Sequence, residues 1–176
     1  KEIVNDVMKL FGISEDLNLN LMIEGQSLNY VTCKVLSGLK KEFSDFYPSL
    51  VLVQGDTTSA LAAALAAFYE KIPIAHIEAG LRTNDLNNPF PEEANRRIIS
   101  QISNLHFAPT KQAKHNLITS NVKGIIEVTG NTVIDSFLHI ANSKNSKFEF
   151  EHQDYFDKKY LFVTIHRREN WGHPLI

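Results

Sequence analysis

Cysteine is almost absent from this chain of 176 residues, where Cys33 stands alone. A single thiol excludes an intramolecular disulfide and agrees with a reducing compartment, so a cytoplasmic location is expected. A surplus of one charge is also missing. A formal charge of −2 gives no general attraction to nucleic acid or to an anionic membrane. No run approaches the ~18 consecutive apolar residues of a membrane span. The longest small-apolar stretch, 60–68, is alanine-rich and far too short. His76, His106, His115, His139, His152 and His173 are scattered, without the Cys/His spacing of a zinc site, so no metal is expected. Neither a G-x-G-x-x-G nor a Walker sequence is present, which leaves nucleotide binding by either glycine loop unsupported.

What is present suits a folded protein. Residues are 43% hydrophobic and 22% charged, against the low hydrophobicity and high charge that disorder requires. The length allows one full domain with room for the start of a second. Lys1 opens directly into a helical pattern, and Leu175-Ile176 follows a Trp171-Gly172 turn. Both ends therefore read as cuts inside a longer protein.

Ile3, Val4, Val7, Met8 and Phe11 mark one face of a helix that Gly12 can close in the left-handed conformation. Leu17, Leu19 and Leu21 alternate and predict a short strand. Ser27 is a candidate cap for a helix carrying Leu28, Val31, Val35 and Leu39, ending before Pro48. Leu50-Val51-Leu52-Val53 is the continuous apolar run expected of a strand buried on both faces. Alternation then repeats: helix over 57–70, strand over 74–77, helix over 92–103, strand over 105–108, helix over 111–119, strand over 125–128 and helix over 132–141. Such a succession predicts an α/β domain with a doubly wound parallel sheet and helices on both faces. Residues 142–159 are polar without a strong period and read as a linker. The buried-type run Tyr160-Leu161-Phe162-Val163-Thr164-Ile165 reads as the first strand of a second domain.

In an open parallel sheet, ligands bind beyond the carboxyl ends of the strands, where helix N-termini also point. Those positions carry Gln54-Gly55-Asp56-Thr57-Thr58, Glu78-Ala79-Gly80-Leu81-Arg82-Thr83, Thr129-Gly130-Asn131-Thr132 and His166-Arg167-Arg168-Glu169-Asn170. Asp56 reads equally as an ordinary helix cap or as an anion that orients a substrate hydroxyl. Glu78 leaves a buried strand, and burial raises a carboxyl pKa toward the range of an acid or base working near neutrality; a salt bridge to Arg82 is the competing reading. Glu93 with Arg97 is a standard surface pair of a helix. Glu92, Asn95 and Arg96 share another face, where spacing favours neither function nor structure. Arg167 and Arg168 beside His166 suit a phosphate, or else form a solvated loop.

The wording of these motifs goes further. Val53-Gln54-Gly55-Asp56-Thr57-Thr58, His76-Ile77-Glu78-Ala79-Gly80-Leu81-Arg82-Thr83, Pro89-Phe90-Pro91-Glu92-Glu93-Ala94-Asn95-Arg96, Thr129-Gly130-Asn131-Thr132-Val133-Ile134-Asp135 and Thr164-Ile165-His166-Arg167-Arg168-Glu169-Asn170 occur in one order and spacing. Together they resemble the bacterial non-hydrolysing UDP-N-acetylglucosamine 2-epimerases over essentially the whole chain.

That resemblance implies a two-domain glycosyltransferase-B-like fold with its active site in the cleft. Residues 1–141 would be the Rossmann-like N-terminal domain without its first strand, and 160–176 the first strand and loop of the UDP-binding domain. The implied reaction interconverts UDP-N-acetylglucosamine and UDP-N-acetylmannosamine. UDP leaves C1 as the C2 proton is removed, and it adds back to 2-acetamidoglucal with protonation on the other face. No cofactor is implied, and a homodimer is expected at full length. The implied catalytic residues are Asp56, Glu78, Glu92 and His166, with Asp56, Glu78, Arg96, His166 and Arg167 binding substrate. Glu78 and Glu92 are expected to handle protons and Asp56 to orient. By itself this polypeptide is expected to bind UDP-sugars weakly and turn nothing over. Competing readings are a hydrolysing 2-epimerase that releases UDP and N-acetylmannosamine, a nucleotide-sugar glycosyltransferase of the same fold, and a non-enzymatic remnant.

Overall fold

A computed structural model of the chain describes residues 2–142 together with Lys159. Two compact units divide at Asp135, and the described part of the second is the remainder of one helix and Lys159. Four parallel strands, β1 (Val51–Gln54), β2 (Ile74–Ile77), β3 (Leu105–Ala108) and β4 (Ile125–Val128), form a sheet in the order β1-β2-β3-β4. The helices are α1 (Glu2–Leu10), α2 (Leu28–Phe46), α3 (Thr58–Tyr69), α4 (Glu92–Ile102), α5 (Lys111–Thr119) and α6 (Thr132–Asn142). The parallel α/β sheet with flanking helices that the alternation predicts is therefore present, and β2, β3 and β4 have the predicted bounds.

Local chemistry sets the helix ends. Ser27, Thr57 and Thr110 each accept a hydrogen bond from a backbone N–H in the first turn of α2, α3 and α5. After α1, Gly12 takes φ +64°, and the N–H groups of Gly12 and Ile13 donate back to Lys9 and Met8. This paired closure is the Schellman arrangement.

Alanines let α3 lie close to the sheet. Ala60, Ala64 and Ala67 pack with Val53 of β1, Ile74 of β2, Phe43 of α2 and Ile99 of α4 in the main core. A second cluster joins Ala79 and Ala108 to Ala113 and Leu117 of α5. Burying each of Ile74, Ile99 and Leu117, all essentially inaccessible, stabilises the fold by ~1.5–3 kcal/mol.

Two expectations fail. Leu17, Leu19 and Leu21 form no strand; alternation makes a strand only where a neighbour supplies hydrogen bonds. Leu19 instead lies over α2, 3.1 Å from where a Cβ on Gly38 would stand. Nor is the β1 run buried on both faces. Val53 points into the α3 core, while Leu52 on the opposite face is 57% exposed. In the described sheet β1 is an edge strand, paired only with β2.

Most of the expected linker, the strand expected over 160–165 and the turn from His166 to Asn170 lie outside the described residues. Helix α6 runs one residue past its expected end, through Asn142. No described helix is long and apolar enough to cross a membrane.

Candidate active site at the strand ends

The turn after β1 is held from beneath by a histidine. Gly55 adopts φ +75°, and its N–H donates to the Ile77 carbonyl at 3.0 Å. Below it, fully buried His76 places Nε2 2.8 Å from the Gly55 carbonyl oxygen. A carbonyl only accepts, so Nε2 carries the proton. Burial lowers the His76 pKa from 6.5 to about 4, against the opposing pull of that carbonyl and with help from His106, Arg82 and Arg96. His76 is therefore a neutral donor that fixes the backbone immediately before Asp56.

Asp56 is not the helix cap, because Thr57 fills that role. Its carboxylate instead pairs with Arg96 of α4, Nη2 to Oδ2 at 2.9 Å. Asn95 Nδ2 donates to the Asp56 backbone oxygen at 2.8 Å. Two neighbouring residues of α4 thus bind one residue of the β1 turn. The Arg96 side chain is 9% exposed and that of Asp56 29%, so the pair sits at the rim of the packed interior.

Glu78 comes off β2 with φ +64°. A non-glycine residue in the left-handed region is uncommon, and strain of order 1–3 kcal/mol persists only where surrounding structure imposes it, often at functional sites. Here the following N–H, that of Ala79, is held by the Phe107 carbonyl at 3.1 Å. Gly80 is wedged behind it at φ +90°, where any Cβ would collide with the Ala113 backbone. The half-buried Glu78 carboxylate then lies beside the β1 turn. Gln54 Nε2 donates to its Oε1 at 3.3 Å, and its Oε2 is 3.8 Å from where a Cβ on Gly55 would stand. No ion pair joins it to Arg82, whose guanidinium reaches Leu81 O and Ser100 Oγ instead.

The two glutamates opening α4 separate. Glu92 is half-buried, one helical turn before Arg96 on the same face, and it has no hydrogen bond or ion pair among the described residues. Glu93 is not the surface residue its spacing predicts. It pairs with Arg97, Nε to Oε1 at 2.8 Å, yet is fully buried, with Thr83 N–H at 3.0 Å and Arg96 Nη1 at 3.5 Å on Oε2. Burial pushes its carboxyl pKa up, but Arg97 and the Thr83 N–H outweigh that and hold it below the usual value. Helix spacing could not show this, because the covering loop comes from ten residues upstream.

Asp56, Glu78, Arg96 and, by its helix face, Glu92 thus gather at the β1–β2 rim. Sequence reading missed His76, which it counted among scattered histidines, and Gln54. The signal was available: His76 and His106 each interrupt a short apolar strand, and they are paired in register across β2 and β3. His166 and Arg167 lie outside the described residues. At the β4 end, Asn131 accepts from the Val133 N–H at 3.0 Å. Among the described residues no group of three or more His, Cys, Asp and Glu could hold a metal ion.

Residues 1–175 match the family model described as UDP-N-acetylglucosamine 2-epimerase. The chain belongs to that family. A UDP-N-acetylglucosamine 2-epimerase of Escherichia coli K12 is 46% identical over 180 residues, covering 98% of this chain and 48% of the relative. Among solved structures, the Neisseria meningitidis UDP-GlcNAc 2-epimerase bound to UDP-GlcNAc is 50% identical with a TM-score of 0.75, over 80% of this chain and 38% of that one. The S. aureus MnaA–UDP structure is 40% identical with a TM-score of 0.88, over 98% and 45%. The chain therefore spans about half the length of the relatives it matches.

Proposed function

We propose that this chain supplies the acid–base half of a UDP-N-acetylglucosamine 2-epimerase that interconverts UDP-N-acetylglucosamine and UDP-N-acetylmannosamine. The observation that carries the reading is Glu78, held at φ +64° beside the turn bearing Asp56. Inversion at C2 needs a proton taken from one face and returned to the other, hence two groups with different surroundings. Glu78, leaving a buried strand, and Glu92, opening α4 without a hydrogen bond or ion pair among the described residues, are the two proton handlers. Asp56 already has Oδ2 engaged by Arg96, which suits a fixed acceptor that orients a substrate hydroxyl.

Removing the C2 proton while UDP leaves C1 gives 2-acetamidoglucal, and re-addition of UDP with protonation on the opposite face completes the exchange. Neither step calls for a nicotinamide or a metal. In this reading His166 completes the catalytic set and Arg167 holds phosphate. The parent protein works as a cytoplasmic homodimer.

The test is wash-in of deuterium at C2 in the full-length protein. Glu78→Gln is expected to slow exchange by ~10²–10⁴-fold, the usual contribution of a positioned general acid or base. Exchange at the wild-type rate would remove Glu78 from the role and with it this reading.

A further inference from the structure

The loop that starts at Glu78 continues to Arg82 and Asn84, and there it borders a cavity of about 650 Å³. That volume lies in the ordinary range for small-ligand sites. Arg82 and Asn84 of the loop, Arg97 of α4, and Gln112, His115 and Asn116 of α5 contribute to its wall, which holds no carboxylate among the described residues. Arg96 and Arg97 are successive residues, about 100° apart around the helix. One faces Asp56 and the other this cavity, so the cavity is not the Asp56–Glu78 crevice.

Arg82 is the anomaly. It is half-buried, yet among the described residues its guanidinium meets only neutral acceptors, Leu81 O at 2.8 Å and Ser100 Oγ at 3.0 Å, and its Nε has no partner. No described carboxylate lies within ion-pair distance of it. Glu93, the nearest candidate by charge, is already shared by Arg97, Arg96 and the Thr83 N–H. Burial pushes the Arg82 pKa down, Glu93 opposes, and the like charges of Arg97 and Arg96 push it down further. A guanidinium desolvated without a counter-ion is costly, and the structure offers none from its own described residues. Arg97 has Nε on Glu93 and a long contact from Nη2 to Asn84.

We infer that this cavity binds a phosphate-type oxyanion between Arg82 and Arg97. Two guanidiniums suit the several acceptor oxygens of such an ion, and α5 adds amide and imidazole groups around them. Occupancy would tie the far end of the loop whose near end carries Glu78. The loop would then report on the ion without touching the crevice.

Calorimetric titration of the full-length protein with inorganic phosphate, and separately with glucose 6-phosphate, tests this. Gln112→Glu puts a carboxylate into the cavity wall at an exposed helix position, so the fold is retained and the ion's place is taken. Arg82→Lys keeps the charge and loses the fork. Both variants are expected to weaken phosphate binding by roughly tenfold or more, the worth of one charge-assisted contact, while UDP binds with wild-type affinity. Tighter binding of glucose 6-phosphate than of the free ion would support the site as one for a phosphate monoester, and the reverse order would support one for the free ion. Phosphate binding that survives Gln112→Glu unchanged, phosphate that UDP displaces, or no phosphate binding at all would each overturn the proposal.

Discussion

Glu92 and Glu93 are consecutive residues at the start of one helix, and they have opposite surroundings. Glu93 is fully buried, with two arginines and a backbone N–H on its oxygens. Glu92, one step around the helix, is half-buried and has no hydrogen bond or ion pair among the described residues. A carboxylate whose lone pairs are all occupied holds a structure together. One left unoccupied at the mouth of a crevice is available to a ligand. The same contrast divides the arginines: Arg96 binds the carboxylate of Asp56, while Arg82 meets only neutral groups.

The largest effect expected from breaking this contrast is on stability. Glu93→Ala leaves Arg97 without its 2.8 Å partner, takes one partner from Arg96 and leaves the Thr83 N–H without an acceptor. Removing one side of a buried ion pair costs ~3–5 kcal/mol, to be read as a lower urea midpoint of the full-length protein. Glu92→Ala is expected to fall within ~0.5 kcal/mol of the wild type, as for a residue without buried partners, while C2 exchange drops. Equal destabilisation by the two changes would erase the distinction drawn between them.

The same residues show where sequence reading reaches its limit. Strand ends were legible because apolar runs and a capping hydroxyl are local signals: Ile74 to Ile77 followed by Glu78, Ile125 to Val128 followed by Thr129, Ser27 before α2. Asp56 and Glu78 could be placed at one rim because parallel strands bring their carboxyl ends together. Tertiary covering was not legible. A Glu93–Arg97 spacing is the same on a surface and under the Thr83 loop, and leucines alternate at 17, 19 and 21 whether or not a strand lies beside them. His76 was passed over because imidazole in an apolar strand matches no catalytic pattern. Its role is to hold the Gly55 turn, and that depends on a carbonyl twenty-one residues away.

A second test compares His76 with the carboxylates above it. Its folded pKa of about 4 lies below the ordinary 6.5, so between those values the unfolded chain takes up the proton first. Stability is thus complete above pH 6.5 and falls as the pH drops toward about 4, by about 3 kcal/mol at the lower end. His76→Gln keeps an N–H donor but does not titrate. Denaturation midpoints measured between pH 7 and pH 4 are expected to fall less steeply for this variant than for the wild type. Parallel curves would mean that His76 is not the buried neutral donor described here.

A pair of modest, matched stability effects discriminates between the crevice and the rest of the sheet. Thr57 and Thr110 cap their helices in the same way, each hydroxyl accepting a first-turn N–H at 3.2 and 3.0 Å. Either change to alanine costs ~1 kcal/mol by the loss of one cap. Their consequences for the site should differ. Thr57 follows Asp56 directly, so loss of its bond to the Ala60 N–H loosens the turn that presents the Asp56 carboxylate to Arg96. Thr57→Ala should therefore slow C2 exchange in the full-length protein by far more than Thr110→Ala, although the two lower the denaturation midpoint about equally. Equal exchange rates would show that the position of Asp56 does not depend on which residue caps α3, and that the Arg96 pair alone keeps it in place.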